Sequence, residues 1–218
     1  LVSRNDDAGA DVMTDGRTRI LLSRGDVTID LVAEGRGRPI VLIPSKARDS
    51  LDFDEVADGL AGSGFRVLRP QPRGALGSAG PSDGVRLQNL AGDIAHVIEQ
   101  ERSGPAIVVG HAFGNWVARV LAQEHPRLVA GVVLAAAAAA SYPAEQRADV
   151  RTCSDPMLPG SQRLAALERS FFASGHDARP WLDGWHAEAA QIQDKAVAAS
   201  PRAGWWSAGT APIRMPFS

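Results

Sequence analysis

The sequence predicts an α/β fold, a mostly parallel sheet covered by helices, on three observations. From residue 18 to 134, short β-branched or apolar runs alternate with amphipathic helical stretches, the pattern of strands joined by helical crossovers. Three of those runs, 39–43, 106–109 and 131–136, are apolar throughout, as strands covered on both faces must be. The run 106–109 also leads through a turn flanked by glycines directly into a helical stretch.

Taken in order, residues 1–17 are charged and glycine-rich without a signal-peptide pattern, and read as a frayed start. Strands follow at 18–23 and 26–34. In the second, Val27, Ile29 and Leu31 alternate with polar neighbours, which predicts an edge strand and a half-exposed hairpin ahead of the buried core. A strand at 39–43 leads to a helix at 52–62, with Phe53, Val56, Ala57 and Leu60 on one face. A strand at 65–69, a helix at 87–101, a strand at 106–109, a helix at 113–124 and a strand at 131–136 complete a core over 18–140. After Ala140 the strand pattern stops. Residues 141–210 carry short helical stretches broken by Pro156, Pro159, Pro180 and Pro201, and hold Trp181, Trp185, Trp205 and Trp206, so a helical cap or lid is expected there. Residues 211–218 read as the start of another core strand, which makes the sheet truncated before its last strands. An edge left unpaired invites a second chain, so a homodimer or a tendency to aggregate is expected.

The 218 residues suit one domain with a real core. A net charge of −2, from 23 basic and 25 acidic residues interspersed, leaves no basic face for nucleic acid or an anionic membrane. No run approaches the roughly 20 apolar residues of a membrane span. Small-molecule chemistry is the expectation that remains. The single cysteine, Cys153, forms no internal disulfide, and with it a cytoplasmic location is expected.

The stretch Gly110-His111-Ala112-Phe113-Gly114 closes a buried strand and opens a helix. It is the nucleophile-elbow pattern Gly-x-Ser-x-Gly with Ala112 in place of Ser. Residues 35–44 with the irregular loop 45–50, and residues 65–81 with Arg73, Gly74, Gly77 and Ser78, stand before it in order and spacing. Together these segments resemble the α/β-hydrolase fold family, in its esterase and lipase-like form, over about residues 18–140.

The resemblance implies a hydrolase of small ester, lactone or related carbonyl substrates, needing no cofactor and no metal, with a small apolar carbonyl-containing ligand as its partner. It puts the oxyanion hole on the backbone N–H groups of Phe113 and Lys46, donors of a kind worth about 3 kcal/mol each to a transition state. It puts Ser45, His111, Trp181 and Trp185 around the substrate. Read as side chains, Lys46 and Arg48 suit a solvated loop, and His111 suits a ring turned into the scaffold. His96 suits packing or surface, and His125 the end of the elbow helix. His176 and His186, with Asp177, Asp183 and Glu188 nearby, match no metal-ligand spacing. Cys153, off the elbow, is poorly placed for a nucleophile.

The chain departs from the family in its chemistry. Ala112 cannot attack, and the acid and His that the family carries after its last two strands find no match before Ser218. The expectation is a hydrolase scaffold inactive as it stands. The alternative is a non-catalytic protein that binds a small ligand or a partner on the same scaffold; a lyase or oxygenase of the same superfold tolerates Ala112 but still needs the His.

Overall fold

A computed structural model describes residues 10–12, 16–137 and 143–200. Its strands are β1 (Ala10–Val12), β2 (Thr18–Arg24), β3 (Val27–Gly35), β4 (Arg38–Ile43), β5 (Phe65–Pro70), β6 (Ala106–His111) and β7 (Val129–Ala135). They form one sheet in the order β1-β2-β3-β5-β4-β6-β7. The run β5-β4-β6-β7 is parallel, and β1, β2 and β3 extend it antiparallel. The helices are α1 (Asp54–Gly62), α2 (Leu87–Glu101), α3 (Gly114–Glu124), α4 (Ala144–Ser154), α5 (Gly160–Ser170) and α6 (Ala187–Ala199). The expected strand at 211–218, with Trp205 and Trp206, lies outside the described residues.

Strand alternation splits the core across the sheet. On one face Ile40, Leu42 and Val67 pack against Ala57 of α1. On the other, Val41, Ile43 and Val108 meet Ile94, Leu121 and Ile192 of α2, α3 and α6. So α6, from the segment expected to form a cap, packs into the main core. Helices α4 and α5 bury a smaller cluster around Cys153, Ala166 and Leu167. Among the described residues no helix is long and apolar enough to cross a membrane.

Two expectations need correcting at the sheet's antiparallel end. Residues 10–12, expected to be frayed, pair with β2 as β1. And β3 is not an edge strand: it lies between β2 and β5 and is buried on both faces. Its two carboxylates meet arginines, not water. Asp30, fully buried, accepts from Arg19 Nε at 2.8 Å, and Glu34 pairs with Arg17 and the buried Arg69 at 3.2 and 2.8 Å. Buried carboxylates persist only when so partnered.

Candidate active site

Strand β6 runs between β4 and β7 and ends in the turn that starts α3. Ala112 sits in that turn at φ +47°, a left-handed conformation that costs a residue with a Cβ about 1–2 kcal/mol. The neighbours hold it there. Its N–H donates to Ala135 O at 3.0 Å, and its carbonyl accepts from the Asn115 N–H at 3.1 Å. The Asn115 Nδ2 bridges both carbonyls, donating to Ala112 O at 2.9 Å and to Ala135 O at 3.0 Å. The flanking glycines are a steric need. A Cβ on Gly110 would lie 2.4 Å from Gly114 O, and one on Gly114 would lie 2.4 Å from Ile43 O. The elbow is therefore intact, and it presents a methyl group where an attacking atom would stand.

The loop after β4, residues 45–50, is bound down by distant parts of the chain. Ala47 N–H donates to Gln193 Oε1 at 2.8 Å, and Ala47 O accepts from the His186 N–H at 2.8 Å. The His186 ring meets Asp49 Oδ2 at 2.8 Å. Burial alone would raise the Asp49 carboxyl, but hydrogen bonds from His186 and the Leu51 N–H, with the charges of His186 and Arg48, hold it below its ordinary range. Ser50 N–H donates to Gln71 Oε1 at 2.8 Å.

Arg48 corrects the expectation of a solvated loop. It is 3 % exposed, donates from Nε to Asp52 at 2.8 Å, and bonds the carbonyls of Trp181 and Asp183. Its guanidinium carbon lies 4.7 and 4.8 Å from the ring centroids of Trp181 and Trp185, a cation–π sandwich. Those two tryptophans, expected around a substrate, clamp this arginine and belong to the apolar cluster that also holds Leu182 and Phe172. The Lys46 side chain pairs with Asp194 near the surface.

His111, half-buried, packs edge-on against Phe53 with ring centroids 6.3 Å apart. Burial pushes its imidazole below the ordinary value, with Asp52 opposing. Cys153 is buried, and burial pushes its thiol up to about 11, far from a reactive thiolate. His186, weighed above as a metal ligand, is a partner of Asp49.

A cavity of about 40 Å³ opens beside the elbow, between Pro44, Phe113, Val117 of α3 and Ile192 of α6. Of the residues expected at the site only Phe113 lines it; Ser45, Lys46, His111, Ala112, Trp181 and Trp185 do not. Its polar lining is Gln71, Arg73, Asp93 and Gln193. Arg73 Nε and Nη2 grip both Asp93 oxygens at 2.7 and 2.9 Å. Burial raises the Asp93 carboxyl in spite of that arginine. The Gln71 Nε2 is buried with no acceptor among the described residues, a state that costs about 1–3 kcal/mol when unrelieved. Neither glutamine carries a sequence signal: Gln71 stands between two prolines, and Gln193 in a polar helical stretch.

A left-handed residue between two sterically obligatory glycines, at the end of a central parallel strand and the start of a buried helix, is the elbow of an α/β hydrolase. A family model described as alpha/beta hydrolase fold matches residues 38–207, and the chain belongs to that family. Two related sequences are Epoxide hydrolase B of Mycobacterium tuberculosis, 32 % identical over 120 residues, and the AB hydrolase superfamily protein YfhM of Bacillus subtilis, 32 % identical over 116 residues. These matches cover 53 % and 51 % of this chain but only 34 % and 41 % of those proteins. Among solved structures, the esterase EaEST from Exiguobacterium antarcticum superposes with a TM-score of 0.66 at 21 % identity, over 83 % of this chain and 73 % of that one. A hydrolase from Pseudomonas aeruginosa superposes at 0.63 with 18 % identity, over 91 % and 75 %. At these identities the structural likeness speaks for the fold alone.

Proposed function

We propose that this chain is a hydrolase scaffold for small ester, lactone, epoxide or related substrates in which Ala112 removes the covalent route. The observation that carries the reading is the methyl group of Ala112, held at φ +47° between Gly110 and Gly114. The relative named for epoxide hydrolysis supports the epoxide in that range. The Phe113 N–H and a donor of the 45–50 loop, Lys46 in the first instance, would receive the substrate oxygen. Losing nucleophile or base costs a triad enzyme on the order of 10⁶ in kcat, so the chain is expected to be silent toward such substrates.

The test is turnover of short p-nitrophenyl esters and of styrene oxide by the chain, by Ala112→Ser and by Ala112→Asp, each with and without an appended acid- and His-bearing C-terminal segment. Activity gained with Ser or Asp and the appended segment supports the reading. Turnover by the unaltered chain equal to that of the variants refutes it, because the reacting group would then lie elsewhere. Silence in every folded version favours the second reading, a ligand-binding protein, for which the polar-ended cavity beside Phe113 speaks.

A further inference from the structure

The cavity beside the elbow is walled by five elements of the fold. Ile29 of β3, Ile43 of β4, Ile94 of α2, Val117 of α3 and Ile192 of α6 all line it, and all belong to one buried core cluster. Pro44, Pro70 and Pro72 also line it, just past β4 and around the end of β5, where their rings fix the backbone. Closing a void walled in this way takes the movement of more than one element, and packed surroundings relax into a void only in part. The site is therefore preformed, and a guest entering it need not order the protein first.

Its polar end is closed on itself. Asp93 and Arg73 neutralise each other through two hydrogen bonds, and Arg73 Nη1 donates to Pro81 O at 3.4 Å, so the pair offers no free charge to an ion. The side-chain oxygens of Gln71 and Gln193 accept the Ser50 and Ala47 N–H groups, each at 2.8 Å. The Gln71 Nε2 is itself buried and does not reach a guest. Carbon makes up most of the wall. A water molecule held in a void needs about two to four polar partners, which such a wall does not supply. The 40 Å³ corresponds to about three water-sized positions, room for a guest of about four non-hydrogen atoms.

We propose that this cavity binds small apolar molecules, gases and short hydrocarbons of up to about four non-hydrogen atoms, held against the isoleucines and Val117. It discriminates against polar guests of the same shape, because a carbonyl or carboxylate entering it gives up its hydrogen bonds to water for a wall of carbon. The site is independent of any turnover at Ala112, which does not line it, so a failed hydrolysis test leaves it standing and the reverse is also true.

The test titrates xenon, isobutene, acetone and acetate into the unaltered protein carrying ¹³C in its isoleucine δ1 methyl groups. Isobutene, acetone and acetate share one shape and differ in polarity. Isobutene is expected to shift the methyls of Ile29, Ile43, Ile94 and Ile192 saturably, with Kd in the millimolar range typical of ligands this small, and xenon to shift the same four. Ile40 and Ile107, which pack together in the core cluster on the other face of the sheet, should stay in place. Acetone and acetate are expected to bind at least about tenfold more weakly than isobutene. Acetone binding as tightly as isobutene would show a donor reaching the guest, and acetate binding best would show a free positive charge. Equal shifts at Ile40 and Ile107 would mean general partition into the core, and no saturable shift with any probe would mean that the void takes no guest. Each of these four results overturns the proposal.

Discussion

Gly114→Ala tests the elbow at its tightest point. The added Cβ would lie 2.4 Å from Ile43 O, 2.9 Å from Pro44 O and 3.0 Å from Ile43 C. All three atoms are backbone, so no side chain can swing aside. To reach an ordinary contact near 3.4 Å, the first turn of α3 must retreat from β4 by about 1 Å, the difference between those distances. Val117 and Leu121 of that helix are 3 % and 0 % exposed, and the retreat would part them from the sheet. Overpacking of this kind costs about 1–3 kcal/mol and sometimes more, less the gain of up to about 1 kcal/mol from replacing a helical glycine. We expect a net loss of about 2 kcal/mol. The control is Gly59→Ala in α1, where nothing lies within 4 Å of the new Cβ; it should stabilise by about 0.5–1 kcal/mol. Urea unfolding followed by tryptophan fluorescence reads both, and with m of about 2 kcal/mol/M the two midpoints should separate by about 1–1.5 M. A Gly114→Ala protein within about 0.5 kcal/mol of the unaltered chain would refute the claim that backbone contact imposes this glycine.

Arg48→Met should cost about 1–3 kcal/mol, because it removes the bonds of a buried guanidinium to Asp52 and to the Trp181 and Asp183 carbonyls and empties the sandwich of Trp181 and Trp185. Hydrogen exchange should then quicken in residues 179–194 more than in β4; a uniform increase would show that Arg48 does not fasten that segment. Burial holds the His111 imidazole below its ordinary 6.5, so the folded state resists protonation. Stability is full above about pH 6.5 and falls as pH drops below it, because the unfolded chain takes up the proton first. Urea midpoints at about pH 7.5 and pH 5.5 should therefore differ less in His111→Gln than in the unaltered chain; equal differences would remove His111 as the cause. His96, also held low by burial and Arg24, adds to the slope, and the raised Asp93 carboxyl opposes it.

The parallel half of the fold is legible because its strands obey a rule about covered faces. Ile40, Val41 and Leu42 are apolar on both sides of the chain because α1 covers one face of β4 and α2 and α3 the other. The antiparallel end misleads for a physical reason: alternation records that Asp30 and Glu34 are polar, and polarity is the same whether the partner is water or Arg19 and Arg69. Arg48 fails in the same way. Its burial depends on Trp181 and Trp185, more than 130 residues further on, and no local pattern announces that meeting. The elbow is legible where the site's polar shell is not, because glycine has a steric signature at a fixed spacing whereas Gln71 and Gln193 act through hydrogen bonds to Ser50 and Ala47 that carry none.

That difference bears on what the elbow means. Gly110 and Gly114 are required by Gly114 O and Ile43 O, atoms of the packed backbone, and the left-handed turn is secured by Ala135 O and Asn115. No contact among these involves the side chain at position 112. The motif therefore serves the seating of α3 on the sheet whether or not a nucleophile is present, and its survival attests to the fold. A covalent route through this turn would need, among its other parts, a reacting substituent on the Cβ of position 112. Ser or Asp at position 112 would add that substituent without altering any contact that holds the turn, which is why restoring a reacting atom there separates a disabled hydrolase from a binding protein while leaving the structure as its own control.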